Sequence, residues 1–173
     1  SGGYGFVWGR DLAFIVLAFL AAGRDDLARR ALRWLPTAQE PEGLWLQRHW
    51  TSGSLAPSWC RHQLDETGAI LFAYDAAWRE LRDAELDAEL WPSAQRAADF
   101  LLGTIDEDGL PVATADLWEE REGRHAFTAA SIVGGLRAAA ELARRHEPPL
   151  AERYDAAAEV VRHREAAPAT RIS

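Results

Sequence analysis

Three stretches of this chain are apolar on every face of a helix, and each is followed by a helix with a single apolar stripe. In 12–22, Leu12, Ile15, Val16, Phe19 and Leu20 fit a 3.6-residue period, while Phe14, Leu17 and Ala18 fill the other faces. The centre of the helix expected from Glu66 to about Leu81, Ala69-Ile70-Leu71-Phe72-Ala73-Tyr74, behaves in the same way. So do Ile132, Val133, Leu136 and the alanines of a helix opening at Thr128. A helix without a polar face has to be covered all round. The intervening helices differ. From Asp25 onward, Leu27, Ala31, Trp34 and Leu35 form one stripe opposite Arg29, Arg30 and Arg33. Between about 84 and 102, Leu90, Ala94, Ala97, Ala98 and Leu101 face away from Gln95, Arg96 and Asp99. Between about 151 and 164, Tyr154, Ala157, Val160 and Val161 stand on one face among many charges. Such amphipathic helices belong on the outside.

Asp11, Asp65 and Thr128 are placed to cap the three apolar helices, at spacings of 54 (65−11) and 63 (128−65) residues. Asp25 is placed to cap the second helix and Gly23 to close the first. The units share little sequence, so the repeat is one of architecture. Successive hairpins of an inner and an outer helix make an all-α fold of about three helical hairpins, part of an α/α barrel. A helical solenoid shows the same alternation but keeps short, regular loops. Here the connection 36–64 is long, broken by Gly43, Gly53 and Pro57, and Leu44-Trp45-Leu46 and Arg48-His49-Trp50 suit short strands. Connections of that length in compact domains tend to be functional. Trp91-Pro92 marks either the true start of the fourth helix or a kink within it. Trp34, Trp78 and Trp91 fall on helices and read as core anchors.

A net charge of −8 argues against nucleic acid or an anionic membrane as partner, and the apolar run 12–22 is too short to cross a bilayer. The single cysteine, Cys60, excludes an internal disulfide. With five scattered histidines it offers no metal-ligand spacing, so neither metal nor cofactor is expected. Cys60 reads as a small buried residue. A length of 173 residues suggests one domain or a piece of a larger one. The sequence has no methionine and passes from Ser1-Gly2-Gly3-Tyr4 almost at once into a packed helix, which reads as an internal piece shortened at both ends.

In a ring of hairpins the inner helices run parallel, so their N-terminal ends share one face. The three most unusual stretches, 4–11, 45–65 and 116–127, each precede an inner helix and therefore converge on one concavity, the usual setting of a site. The densest is Asp116-Leu117-Trp118-Glu119-Glu120, which follows the turn Asp106-Glu107-Asp108-Gly109 and a short extended run 110–113. Carboxylates this close cannot all ionise freely, so at least one is expected to have a raised pKa, which fits a glutamic acid for general-acid work near neutral pH. A solvated acidic loop with one packed tryptophan is the competing reading. Arg10 and Asp11 together suit the gripping of neighbouring hydroxyl groups, against a plain cap and a surface pair. Trp8, Trp59 and Trp118, near the loop motifs, add the flat apolar faces that sugar rings stack on.

The residues Tyr4-Gly5-Phe6-Val7-Trp8-Gly9-Arg10-Asp11, then Ser58-Trp59 with Gln63 and Asp65, then Asp116-Leu117-Trp118-Glu119-Glu120 appear in an order that resembles the glucoamylases of glycoside hydrolase family 15. The third motif, running on through Gly123 to Phe127-Thr128, is the most specific. The resemblance implies an (α/α)6 barrel that hydrolyses α-glucosidic bonds from non-reducing ends with inversion, releasing β-glucose. It covers essentially all of 1–173 but only about half of such a catalytic domain, its N-terminal portion. By motif position, Glu119 resembles the general acid, Arg10 and Asp11 the residues that hold the terminal glucose, and Trp59 a tryptophan lining that subsite. Asp116, Trp118 and Glu120 resemble neighbours that shape the pocket and bind sugar. Cys60-Arg61-His62 and Arg121-Glu122-Gly123-Arg124 depart from the family pattern in a bacterial style, which leaves specificity beyond the first glucose open.

An inverting enzyme sets its acid and base roughly 6.5–9.5 Å apart across the bond. Glu120 adjoins Glu119, and nothing after Thr128 resembles the family's second catalytic motif, so residues 1–173 alone are expected to be inactive. The expected partners are an α-glucan or oligosaccharide substrate and the rest of the protein's own barrel on the C-terminal side. Trehalose or an α-1,6-linked glucan is the alternative substrate. A non-catalytic glucan-binding or regulatory barrel is the alternative from another class, and a structural helical repeat a third.

Overall fold

The computed structural model describes residues 5–59 and 62–166. Its helices are α1 (Gly9–Ala21), α2 (Asp25–Trp34), α3 (Leu64–Leu81), α4 (Ala84–Gly103), α5 (Ala126–His146) and α6 (Pro148–Ala166). α1 packs on α3 and α3 on α5, forming an inner row. α2, α4 and α6 lie behind it, against α1, α3 and α5 respectively, and α4 also reaches α5. This is the anticipated arc of three hairpins. Its core lies between the rows, where Val16, Leu32, Leu71, Leu101, Leu136 and Leu142 are fully buried.

Two minimal antiparallel ladders brace the loops at the N-terminal ends of the inner helices. β1 (Phe6–Val7) pairs with β2 (His49–Trp50), Phe6 opposite Trp50. β3 (Thr114–Ala115) pairs with β4 (Glu122–Gly123), Thr114 opposite Gly123. Leu44–Leu46 is not a strand. Instead Trp45 is buried, and its Nε1 donates to the Leu35 carbonyl at 2.8 Å. This loop tryptophan is the true core anchor, whereas Trp34, Trp78 and Trp91 are only half-buried at the margins. Pro92 lies inside an uninterrupted α4 and marks no start.

Gly23 closes α1 as expected. It takes a left-handed φ of +66°, with Gly23 N–H donating to the Leu20 carbonyl and Arg24 N–H to that of Phe19, the paired bonds of a Schellman motif. The expected caps fare worse. The residues flanking α1, α3 and α5 are Trp8, Gln63 and His125, none of them with a side-chain cap bond. Asp11, Asp65 and Thr128 sit inside the first turn, and so does Asp25 in α2. Acidic side chains are favoured throughout a first turn by the positive helix end, so their presence does not fix which residue is the cap. Asp83 does cap α4, accepting from Leu86 N–H at 3.1 Å.

The inner helices are not covered all round. Phe14 and Ile15 of α1, Phe72 of α3 and Phe127 of α5 are each about half exposed. Phe14, Phe72 and Phe127, with Leu17 and Ser131, border an apolar groove of about 260 Å3 on the side away from the outer helices. α3 and α5 meet through glycine. A Cβ on Gly135 would lie 2.7 Å from the Gly68 Cα, and one on Gly68 would overlap the Ser131 carbonyl. Ser131 Oγ donates to the Asp65 carbonyl at 2.8 Å at the same crossing.

Candidate functional site

The loop before α5 is shaped by its own first residue. Asp116 N–H donates to the Arg121 carbonyl at 2.8 Å, and Asp116 Oδ1 accepts from Glu120 N–H at 2.9 Å and Arg121 N–H at 3.3 Å. These bonds fold 116–121 into a tight reversal, in which Glu119 takes a left-handed φ of 62°. A non-glycine residue there costs on the order of 1–3 kcal/mol and persists only where its surroundings impose it. Arg124 is ion-paired to Asp106, tying this loop to the turn before β3. The hydrogen bond from Glu120 N–H, with that from Arg121, holds the Asp116 carboxyl below the usual carboxylate range. Within the acidic loop Asp116 is therefore a readily ionised member. The backbone donors stabilise its charge more than partial desolvation disfavours it.

The loop before α3 is laced to this one. Ala115 N–H donates to the His62 carbonyl at 3.1 Å, Gln63 Nε2 donates to the Asp116 carbonyl at 2.8 Å, and Thr114 Oγ1 donates to the His62 carbonyl. Between them lies a cleft of about 230 Å3 bordered by Trp59, His62, Glu119, Glu120, Arg121 and Glu122. Trp59 is 66% exposed and Trp118 77% exposed, so neither ring is spent on the core. Cys60 and Arg61, like Tyr4, lie outside the described residues.

The start of α1 touches this loop through Trp8, while Arg10 and Asp11 do not line the cleft. Trp8 Nε1 donates to Glu119 Oε1 at 3.3 Å, linking residues 111 apart in sequence. Asp11 is exposed at the first turn. Arg10 is buried, and its Nη1 donates to Asp65 at 2.7 Å, so the guanidinium is anchored rather than standing free over the cleft. Beside this pair Glu66 Oε2 accepts from Gly9 N–H at 2.7 Å and Arg10 N–H at 3.3 Å. Burial pushes the Glu66 carboxyl well above its ordinary range; Arg10 and the two backbone donors oppose the shift, and Asp65 adds to it. A single guanidinium balances one buried carboxylate. Asp65 is the nearer of the two to Arg10 Nη1, at 2.7 Å against 3.9 Å for Glu66 Oε1.

Two residues of this constellation escape a sequence reading. Glu66 looks like an ordinary first-turn acid beside Asp65. Its sign is a second charge leading a helix otherwise apolar at its centre. Arg48 lies with its guanidinium 4.4 Å from the Trp59 ring centroid, 4.5 Å from Phe6 and 5.7 Å from Trp8. Its Nε donates to the Pro57 carbonyl at 2.6 Å. It joins Trp59 of the cleft to Trp8 by cation–π contacts, and an arginine amid Trp45, Trp50 and Trp59 was its only advance signal. The apolar groove on the inner face carries no titratable side chain, so the polar cleft is where acid–base chemistry can occur.

The sequence profile of the glycosyl hydrolases family 15 matches residues 33–165. The chain belongs to that family. It is 32% identical over 136 residues to an uncharacterized glycosyl hydrolase of Methanocaldococcus jannaschii, a match covering 79% of this chain and 21% of the relative. It is 33% identical over 148 residues to a glucoamylase of Clostridium sp. (strain G0005), covering 85% and 19%. The chain thus spans about a fifth of the length of these curated relatives. A rhamnosidase from Klebsiella oxytoca, solved with rhamnose bound, superposes with a TM-score of 0.72 at 22% identity, covering 92% of this chain and 32% of that one. That likeness is one of fold, and the family 15 protein is accordingly part of an (α/α)6-type barrel.

Proposed function

We propose that this family 15 hydrolase is an inverting, exo-acting α-glucosidase, with Glu119 as the general acid and the pocket around it taking the terminal glucose of an α-glucan. The reading is carried by one observation: Glu119, strained into a left-handed conformation, lines the same cleft as the exposed Trp59 and accepts a hydrogen bond from Trp8. An acid fixed at a cleft wall next to an aromatic face suits protonation of a glycosidic oxygen while the sugar stacks. The family's match to a glucoamylase supports glucose as the sugar. Asp116, held ionised by backbone donors, acts as a fixed negative charge that shapes the loop. Trp118 and Glu120 border the leaving-group side, and Asp11 reaches sugar hydroxyls from the α1 end. Arg10 serves through its bond to Asp65 as a rigid support of that end.

Residues 1–173 form the N-terminal portion of the catalytic domain in this proposal, and the general base is contributed by residues that follow them. Alone they bind sugar weakly and do not turn over. Glu119→Gln in the full-length hydrolase tests the assignment. Glucose release from maltooligosaccharides is expected to fall by about a thousandfold or more while sugar binding, followed by calorimetry, stays within about threefold. Retention of activity by the glutamine variant would remove Glu119 from the role. A parallel panel of α-1,4-glucan, α-1,6-glucan and trehalose fixes the linkage.

A further inference from the structure

We infer that Glu66 is a positioning residue for the acid, setting the Trp8–Glu119 hydrogen bond from behind by clamping the start of α1. This rests on Glu119 being the acid. Glu66 is fully buried at the first turn of α3, and a single oxygen, Oε2, takes the N–H groups of both Gly9 and Arg10. Those two residues directly follow Trp8, the flanking residue of α1, which has no side-chain cap of its own. Glu66 therefore does from another helix what a cap would do locally, and it satisfies two backbone donors that α1 itself leaves over.

The clamp is tight as well as bonded. A Cβ at Gly9 would meet Glu66 Oε2 at 2.8 Å and Ile70 Cδ1 at 2.9 Å, so a larger residue there would displace the Glu66 carboxyl or the Ile70 methyl. Arg10 closes the contact from the other side by its 2.7 Å bond to Asp65, the neighbour of Glu66. Backbone position at Gly9 is thus fixed by α3, and the Trp8 indole one residue earlier reaches Glu119 at 3.3 Å. A shift of about 1 Å at such a donor is enough to cost on the order of a hundredfold in rate. The remaining oxygen, Oε1, is buried and has no hydrogen-bond partner among the described residues. What the clamp uses is the acceptor Oε2, which an amide oxygen can replace.

The test uses the full-length hydrolase at a temperature where circular dichroism shows every variant folded. Glu66→Gln keeps the acceptor and is expected to retain kcat within about threefold. Glu66→Met keeps the volume without the acceptor and should lose about tenfold or more in kcat. Trp8→Phe should lose a similar amount. Because both changes break one connection, the double variant should be no worse than the poorer single variant by more than about threefold. Losses that multiply, or a glutamine variant as impaired as the methionine one, would overturn the proposal. If Glu66→Met does not fold, Gly9→Ala, which presses on the same oxygen, replaces it in the cycle. Glu119→Gln is run alongside. If it stays active, the acid assignment has failed. If it is inactive while Glu66→Met turns over normally, only the positioning role falls.

Discussion

Glu66 also has a signature in stability. Its folded pKa lies well above that of an exposed glutamate, chiefly through burial. For such a group the stabilising contribution is complete below the unfolded pKa, about 4.3, and is lost as pH rises through the folded value. Glu66→Gln cannot ionise and escapes that loss. Thermal unfolding of the two proteins from about pH 4 to pH 8 should show a Tm difference that grows in favour of glutamine with rising pH. A difference independent of pH would mean that the Glu66 pKa is not raised by folding. At this scale the sequence named residue types better than their states. The crowding of Asp116, Glu119 and Glu120 says nothing of the backbone donors that lower Asp116. Nor does any spacing announce that burial raises the carboxyl of Glu66, a partner of α1. Local spacing reports which charges are neighbours in the chain; the donors that settle their ionisation come from folding.

The six helices were legible because each carries a helical period, and the inner and outer sets separate by whether a polar face exists. What the sequence could not show is which partner meets each face. Phe14 and Phe72 satisfy the pattern of a helix covered all round yet are exposed on the inner side. Asp65 fits a cap by position but serves Arg10. Glycines within helices are ambiguous for the same reason. Gly135 lies against Gly68, where an added Cβ would come 2.7 Å from backbone, whereas Gly134 meets nothing within 4 Å. Gly135→Ala should therefore destabilise by about 1–3 kcal/mol through forced separation of α3 and α5. Gly134→Ala should be neutral or stabilise by up to about 1 kcal/mol from helix propensity. Urea unfolding of both variants decides the matter, and equal responses would contradict the close crossing. Of the site, the positions of the three motifs were readable from their places before inner helices. The strained φ of Glu119 and the Trp8 contact were not, since both are products of tertiary placement.

At the scale of the whole molecule, the apolar groove of the inner face departs from a self-contained surface. Patches of this kind mark contact with another part of a structure. In the proposed arrangement the rest of the barrel covers it. Residues 1–173 produced alone should then bind the dye ANS and self-associate. Replacing Phe14, Phe72 and Phe127 together by serine should reduce both, as read by fluorescence and by sedimentation velocity. Undiminished dye binding in the triple variant would place the exposed apolar surface elsewhere. The Trp8–Glu119 bond has a further consequence at this scale, because its partners are 111 residues apart. Non-local contacts of that span form only after the intervening residues have been ordered. The cleft should be among the last features to assemble during refolding, appearing after the helices themselves. Mild denaturant should for the same reason silence the site by undocking α1 well before helical content falls.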